Sequence, residues 1–534
     1  MSPLFTMKFW AAAVMAAAFL LIHSPLADAQ HRHDPPPATA PSPTPTPDPM
    51  KGMEMPATPS TTPTLAATPD PMKGMDMPAV TVASPQTTPT PAATPDPMAG
   101  MNMPGMSPGP DDHDSLTVMR GDEMLLRVGR GRDNFLSMNQ NGSGTSWQPA
   151  TSPMYMWQQM NGPWMFMYHA EMKLGVNYQN GPRGVTKFES QNWFMPMAIR
   201  QAGPGTLQLK AMLSLEPFTF SPGGSPQLFQ TGETYQNRPL RDKQHPHDLF
   251  MTLSATYTVP IGDRATWFGY LGMPGEPALG PTAFMHRASA AENPSAPLSH
   301  HLQDSTHISF GVATTGFTYR WFQVEGSVFN GREPDENRYN FEFHPWNSRS
   351  FRVSVAPSKN LTAQWSYGWL HEPEAEEPGN IRRMTASVSY NQKIAGGTWA
   401  TSLIWGRNLL QQNSPVITNS YLAETTVNFK DLNYFYSRLE LADKSDLLAR
   451  SEEAQIGIPA GRHPIFRVAA FTFGAARDIF TTDKIRVAIG GDATLYRAPS
   501  ILNPIYGDRP AGFHFYLRFR PGRMTAESHA GHTP

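Results

Sequence analysis

The chain contains no cysteine, so disulfides, thiolate metal centres, thiol catalysis and a lipid-anchored N-terminal cysteine are excluded together. Charge is scarce too. Asp, Glu, Lys and Arg make up only 16% of the residues, and a formal net charge of −2 gives no electrostatic case for nucleic acid as a partner. Beyond the N-terminus no apolar run reaches 18 residues, which excludes membrane-spanning helices. Phe, Trp and Tyr are missing from 30–116, whereas 22 of the 54 prolines fall between Pro35 and Pro110. Two compositional regimes therefore share the 534 residues.

At the start, Lys8 precedes an apolar run from Phe9 to Ile22, and the segment closes on Ala27-Asp28-Ala29, the small-x-small pattern that a signal peptidase cleaves. The run is too short to cross about 30 Å of hydrocarbon. Residues 1–29 are expected to be an export signal, with Gln30 the first residue of the mature protein. Residues 30–115 are rich in Pro, Thr, Ala and Ser. Such a composition buries too little apolar surface to offset the entropy of ordering, so a disordered Pro/Met-rich tail is expected there.

One phrase recurs three times in that tail, beginning at Thr46, Thr68 and Thr94. Each copy carries Met-x-x-Met-x-Met: Met50, Met53 and Met55; Met72, Met75 and Met77; Met98, Met101 and Met103, followed by Met106. A thioether is a soft, neutral donor that no proton blocks, so it suits Cu(I) or Ag(I) and serves hard cations poorly. Gly52, Gly74 and Gly100 let the chain curl around one ion. The residue between the last two methionines varies among Glu54, Asp76 and Asn102 while the methionines do not. The alternative is a Pro-rich spacer copied by slippage, although an apolar, oxidisable residue is an odd choice for a solvated linker.

From Trp164 onward the chain is a succession of segments of alternating polarity, each long enough for a tilted strand to cross a bilayer. In 164–178 the even positions run Trp164, Phe166, Tyr168, Ala170, Met172, Leu174, Val176 and Tyr178, while the odd positions include Met165, Met167, His169, Glu171, Lys173 and Asn177. One face suits lipid and the other water. Sixteen such strands can be placed between 164 and 520, including 205–217, 305–315 and 317–330, with a short turn at Thr315-Gly316. Short and long connections alternate, as outer-membrane barrels require. The fold class is all-β: a transmembrane antiparallel β-barrel of about 16 strands. Residues 116–163 form a periplasmic segment or a plug, and 521–534 a C-terminal tail. The last strand carries Phe513, Phe515, Leu517 and Phe519 on one face and is similar to the terminal assembly signal of outer-membrane barrels.

A hairpin centred on Gly181 sets Met165 opposite Met197 and Met167 opposite Met195. A turn at Gly203-Pro204 sets Met195 opposite Met212. Met165, Met167, Met195, Met197 and Met212 then converge with His169 on the periplasmic mouth, as a soft-metal site or as packing against a plug holding Met154, Met156 and Met160. The long loops hold a second group: His245, His247, Asp248, His286, His300, His301 and Asp304, with His307 inward on the sixth strand. Histidine with carboxylate suits Cu(II) or Zn(II), and ordinary hydrogen-bonded loop histidines are the alternative.

No nucleophile elbow, phosphate loop or dinucleotide fingerprint is present, so neither an enzyme nor an organic cofactor is expected. A hydrolase would need a Ser–His–acid set built on the inward His169, His307 or His514. The order of parts, export signal, Met-repeat tail and barrel, with Met50, Met53, Met55 and their repeats, resembles the outer-membrane copper-resistance proteins that accompany periplasmic multicopper oxidases. That resemblance implies binding of surplus copper, as Cu(I), at the outer membrane, with the tail in the periplasm. It also implies lipid, metal ions and a periplasmic copper oxidase or efflux component as partners. The alternative is a general porin or solute channel with an incidental methionine tether.

Overall fold

The computed structural model describes residues 115–129, 134–374, 378–412, 415–462 and 464–525. The expected signal (1–29), the tail with its ten methionines from Met50 to Met106, and residues 526–534 lie outside the described residues. Sixteen antiparallel strands close a barrel: β1 Trp164–Gln179, β2 Thr186–Ala202, β3 Gly205–Leu213, β4 Phe250–Ile261, β5 Ala265–Gly272, β6 Val312–Tyr319, β7 Phe322–Phe329, β8 Ser348–Ser358, β9 Leu361–Leu370, β10 Asn380–Ile394, β11 Gly397–Gln411, β12 Val416–Phe429, β13 Asn433–Lys444, β14 Phe466–Thr481, β15 Ile485–Arg497 and β16 Ala511–Pro521. The seam is the pairing of β16 with β1, from Gly512 opposite Gln179 to Phe519 opposite Met172. Below that point a short strand, Trp157–Asn161, takes over and pairs with Trp164–Tyr168.

Period-two alternation decides which way each side chain faces. Phe473, Ile489, Phe513, Phe515, Leu403 and Trp365 are exposed on the outer surface, whereas Arg352, Arg383, Thr385, Ser366, Ser420, Glu424 and Arg518 are buried inside. A water-soluble protein would be turned the other way round. A closed barrel with an apolar exterior satisfies every strand hydrogen bond without water, and that is the condition for crossing a bilayer with strands. No helix among the described residues is long and apolar enough to do so. At one end the turns are short, as at Gly203-Pro204, Arg320-Trp321 and Ala395-Gly396; at the other the connections include 214–249, 273–311 and 445–465. The fold is therefore a closed sixteen-strand antiparallel transmembrane β-barrel, with short turns at one end and long connections at the other.

Three expected boundaries shift. The sixth strand is β6, Val312–Tyr319, and not 305–315, and its turn is Arg320-Trp321. Thr315-Gly316 has the composition of a turn but lies within the strand, because Gly316 sits under the Phe268 ring where a Cβ would collide. Arg320 takes the turn conformation instead, at φ 53°. The third strand stops at Leu213, and Glu216–Thr219 with Pro217 makes one helical turn. Residues 521–525, expected in the tail, partly fold back on the barrel: Met524 N–H donates to the Met154 carbonyl at 2.9 Å, and Arg523 bridges to Tyr155.

Two segments enter the lumen. Residues 115–163 include a three-stranded sheet, Thr117–Arg120, Glu123–Arg127 and Phe135–Ser137, held at the short-turn end. There Asn134 Nδ2 donates to the Gly262 carbonyl at 2.6 Å and Gln201 Nε2 to that of Arg127 at 2.7 Å. The connection 273–311 crosses the interior and is fastened to the wall by charge. Arg287 pairs with Glu424 at 2.7 Å and Asp304 at 2.9 Å, while Arg518 and Arg520 pair with Glu292.

Arg352 ties both segments to β7: its Nε donates to Glu325 at 2.9 Å, Nη1 to the Gly280 carbonyl at 2.9 Å and Nη2 to Thr145 at 3.1 Å. Both charged side chains are 0% exposed. Removing one partner of such a pair leaves a buried charge uncompensated, which costs about 3–5 kcal/mol. Arg352→Ala is therefore expected to lower the urea midpoint of the detergent-folded barrel markedly. An unchanged midpoint would show that the pair contributes nothing.

Candidate metal-binding chambers in the lumen

The inward face of β1 places Met165 and Met167 in the interior, both 0% exposed. The β1–β2 register is slipped by two residues from the expected one: Met165 lies opposite Ile199, Met167 opposite Met197 and His169 opposite Met195. A slip of two preserves the face, so the inward group survives although its partners change. Between β2 and β3, the pairs Phe194–Leu213 and Met197–Lys210 hold the register that sets Met195 against Met212.

These five methionines form one buried cluster with others that the strand pattern does not reveal. Met124, Met138, Met154 and Met156 come from the lumenal segment, Met251 from β4, and Met524 from beyond β16, with Met285 packed alongside. Met160 does not join it and is 43% exposed on the short strand beside β1. The cluster borders a cavity of about 150 Å³ whose walls include Met138, Met154, Met167, Met195, Met197, Met285, His169 and His286. The Trp193 and His286 rings, both on its wall, pack against each other with centroids 5.0 Å apart. Burial, with Lys210, His169 and His247 nearby, pushes the His286 imidazole down to about 3, so it stays neutral and able to donate to a metal. The chamber is lined by thioethers and imidazoles and also by the charged groups Glu171, Lys210, Arg287, Glu292 and Arg520; the thioethers and imidazoles are a donor set matched to a soft monovalent ion.

The loop histidines also come together, toward the long-loop end. Ring centroids are 5.7 Å apart for His245 and His301, 5.2 Å for His301 and His300, 5.1 Å for His300 and His307, and 5.4 Å for His307 and His247. His307 lies in the turn Ser305–His307 before β6 and not on the strand. Several Nδ1 atoms are fixed: His247 on Glu216 at 2.7 Å, His300 on Asp304 at 2.6 Å and His307 on the Asp304 carbonyl at 2.8 Å. Nε2 of His247 and of His307 is buried with no hydrogen-bond partner. Pinning one ring nitrogen while leaving the other free is how proteins orient imidazole ligands.

The surroundings set the charge state of each ring. Burial lowers His300 to about 4 despite Asp304, and lowers His307 well below the ordinary imidazole range with His300 and His247 beside it. Burial also opposes charge on His247, but the Glu216 carboxylate outweighs it and raises that imidazole. Beyond the histidines, His301, Glu333 and Glu374 bring one ligand atom each to within 4.8 Å of one another. Glu333 and Glu374 were not singled out in the sequence, each being one acid among several in its loop, Glu333-Pro334-Asp335-Glu336 and Glu372-Pro373-Glu374.

Of the inward histidines considered for hydrolysis, His514 has an acid and a serine nearby: Asp492 at 2.9 Å from Nδ1 and Ser295 Oγ at 3.4 Å from Nε2. The Ser295 backbone N–H is engaged by Asn293 Oδ1 at 2.9 Å and is not free to stabilise an oxyanion.

No protein-family model and no curated protein matches the chain. Among solved structures it is similar to an anion-selective porin from Comamonas acidovorans, at 9% identity over 67% of this chain and 99% of that one, with a TM-score of 0.43. It is also similar to OmpT of Vibrio cholerae in a loop L8 deletion form (8% identity, 67% and 99% covered, TM-score 0.40). A third match is OmpF of Salmonella typhi in complex with daunomycin (9% identity, 68% and 100% covered, TM-score 0.40). At this level of likeness the architecture rests on the strand pairing itself.

Proposed function

We propose that this barrel binds copper as Cu(I), and Ag(I) through the same donors, and thereby contributes to metal tolerance or transport at the outer membrane. The observation that carries the reading is the methionine-lined cavity beside His169 and His286. Aliphatic side chains would pack a lumen equally well and resist oxidation, so concentrating thioethers there favours a ligand role. The three Met-x-x-Met-x-Met repeats carry the same chemistry in the sequence, and a tethered site raises local ion concentration enough to make weak sites useful. A periplasmic oxidase or efflux component would be the exchange partner.

A general solute channel is the second reading, favoured by the sixteen-strand architecture, since barrels of that size leave an aqueous lumen when nothing fills it. Titration of Cu(I), under reductant, or of Ag(I) into the detergent-folded protein and into a peptide of residues 46–106 separates the two. The copper reading expects saturable uptake by both at micromolar concentration or below. Uptake by neither below millimolar concentrations would end it and leave the channel.

A further inference from the structure

We infer a second metal site, for a divalent first-row cation such as Zn(II), built from His301, Glu333 and Glu374 near the long-loop end of the lumen. The three ligand atoms lie within 4.8 Å of one another, close enough for one ion to bridge them. The Glu333 side chain is 8% exposed and that of His301 12%. Both Glu333 oxygens and both His301 ring nitrogens are buried without a hydrogen-bond partner. His301 Nδ1 lies 3.7 Å from Glu333 and the Arg383 charge faces both acids, so the carboxylates are partly compensated, but buried polar atoms without hydrogen bonds remain costly. A bound cation would give those atoms the partner they lack.

The site is held in place by groups that do not ligate. Arg383, fully buried on β10, donates Nη2 to the His301 carbonyl at 2.9 Å and Nη1 to Ser305 Oγ at 2.7 Å. The Glu333 N–H donates to the Pro373 carbonyl at 3.0 Å, which fastens the two acid-bearing loops to each other beside the ligands. Gly232, at φ 119°, lies against the His301 ring so closely that a Cβ would collide with it. His301 and Glu374 open on a cavity of about 100 Å³ that Asn408, Asp443 and Lys444 also line, so an ion has somewhere to enter. Oxygen-rich donors with one imidazole suit a divalent ion of borderline hardness, in contrast to the thioether chamber.

The test uses the full chain folded in detergent, titrated with Zn(II) by calorimetry and with Co(II) followed by its visible bands. Wild type is expected to bind one more Zn(II) equivalent than either Glu333→Gln or His301→Ala, or to bind it at least tenfold more tightly. Gly232→Ala, which alters no ligand, should weaken the same equivalent by displacing the His301 ring. Each variant is checked for a folded barrel by its migration before and after heating. Identical stoichiometry and affinity in wild type and all folded variants would overturn the site. Ag(I) uptake, read on the same samples, should be unaffected by Glu333→Gln. Loss of the Zn(II) result alone therefore removes this site, and loss of the Ag(I) result alone removes the Cu(I) reading.

Discussion

Changing Met165, Met167, Met195 and Met197 together to leucine, in a chain whose ten tail methionines are already leucine, is expected to weaken Ag(I) binding by about a hundredfold or more. Even substitutions outside the ligand shell typically cost 10–100-fold in metal affinity, and this one removes four thioethers from a single buried cluster. The barrel should survive, because leucine and methionine have similar volumes and such exchanges usually cost less than about 1.5 kcal/mol each. Leucine fills the space and lacks the lone pair, so the substitution separates donation from packing. An Ag(I) isotherm that does not change, in a variant whose heat-dependent migration matches wild type, would make the methionines filler and return the lumen to the solute-channel reading.

The strands are legible in the sequence because lipid outside and a polar lumen inside impose an alternation that nothing local overrides. Trp164 to Tyr178 separates into two faces on inspection, and the structure buries Met165, Met167, Glu171, Lys173 and Asn177 while turning Tyr168, Val176 and Tyr178 outward. Register is a weaker signal. The β1–β2 slip of two residues leaves the face intact and changes only which residues stand opposite, so alternation cannot detect it. Thr315-Gly316 misleads for a different reason: the glycine is required by the Phe268 ring above it, a tertiary contact that mimics a turn signal.

The site divides in the same way. Met165, Met167, Met195, Met197 and Met212 are on strands and can be assigned a side. Met124, Met138, Met285 and Met524 come from segments without periodicity, and their arrival in one cluster depends on how those segments lie in the lumen. For the loop histidines the sequence supplies the residue types, and the loop that carries His300, His301 and His307 is held to the strands by buried charge. Arg383 holds the His301 carbonyl, and Arg287 joins Asp304 to Glu424. Long-range pairs of that kind leave no pattern in a single chain, and Glu333 and Glu374 show it most clearly.

Deleting residues 115–153 is expected to raise single-channel conductance in planar bilayers several-fold and, in the same protein, to weaken Ag(I) binding. Sixteen strands ordinarily enclose an aqueous channel, but here two segments occupy it and their attachments differ. The connection 273–311 is fixed to the wall by buried arginine pairs, Arg287 with Glu424 and Glu292 with Arg518 and Arg520. The N-terminal segment is held partly at the rim, where Lys393 pairs with Asp122 at 2.7 Å and Lys359 with Glu123 at 2.5 Å, both lysines being more than half exposed. Exposed pairs of that type contribute about 1 kcal/mol or less. Deeper in, its contacts are neutral or shared, as where Ser146 and Thr282 hydroxyls meet at 2.9 Å and Thr145 reaches Glu325 and Arg352. The segment is thus the more detachable of the two, and it also supplies Met124 and Met138 to the chamber. Closure and soft-metal binding then depend on one piece of chain, so an ion held by those methionines would stabilise the closed lumen. Conductance unchanged by the deletion would assign the closure to 273–311 alone and break that link.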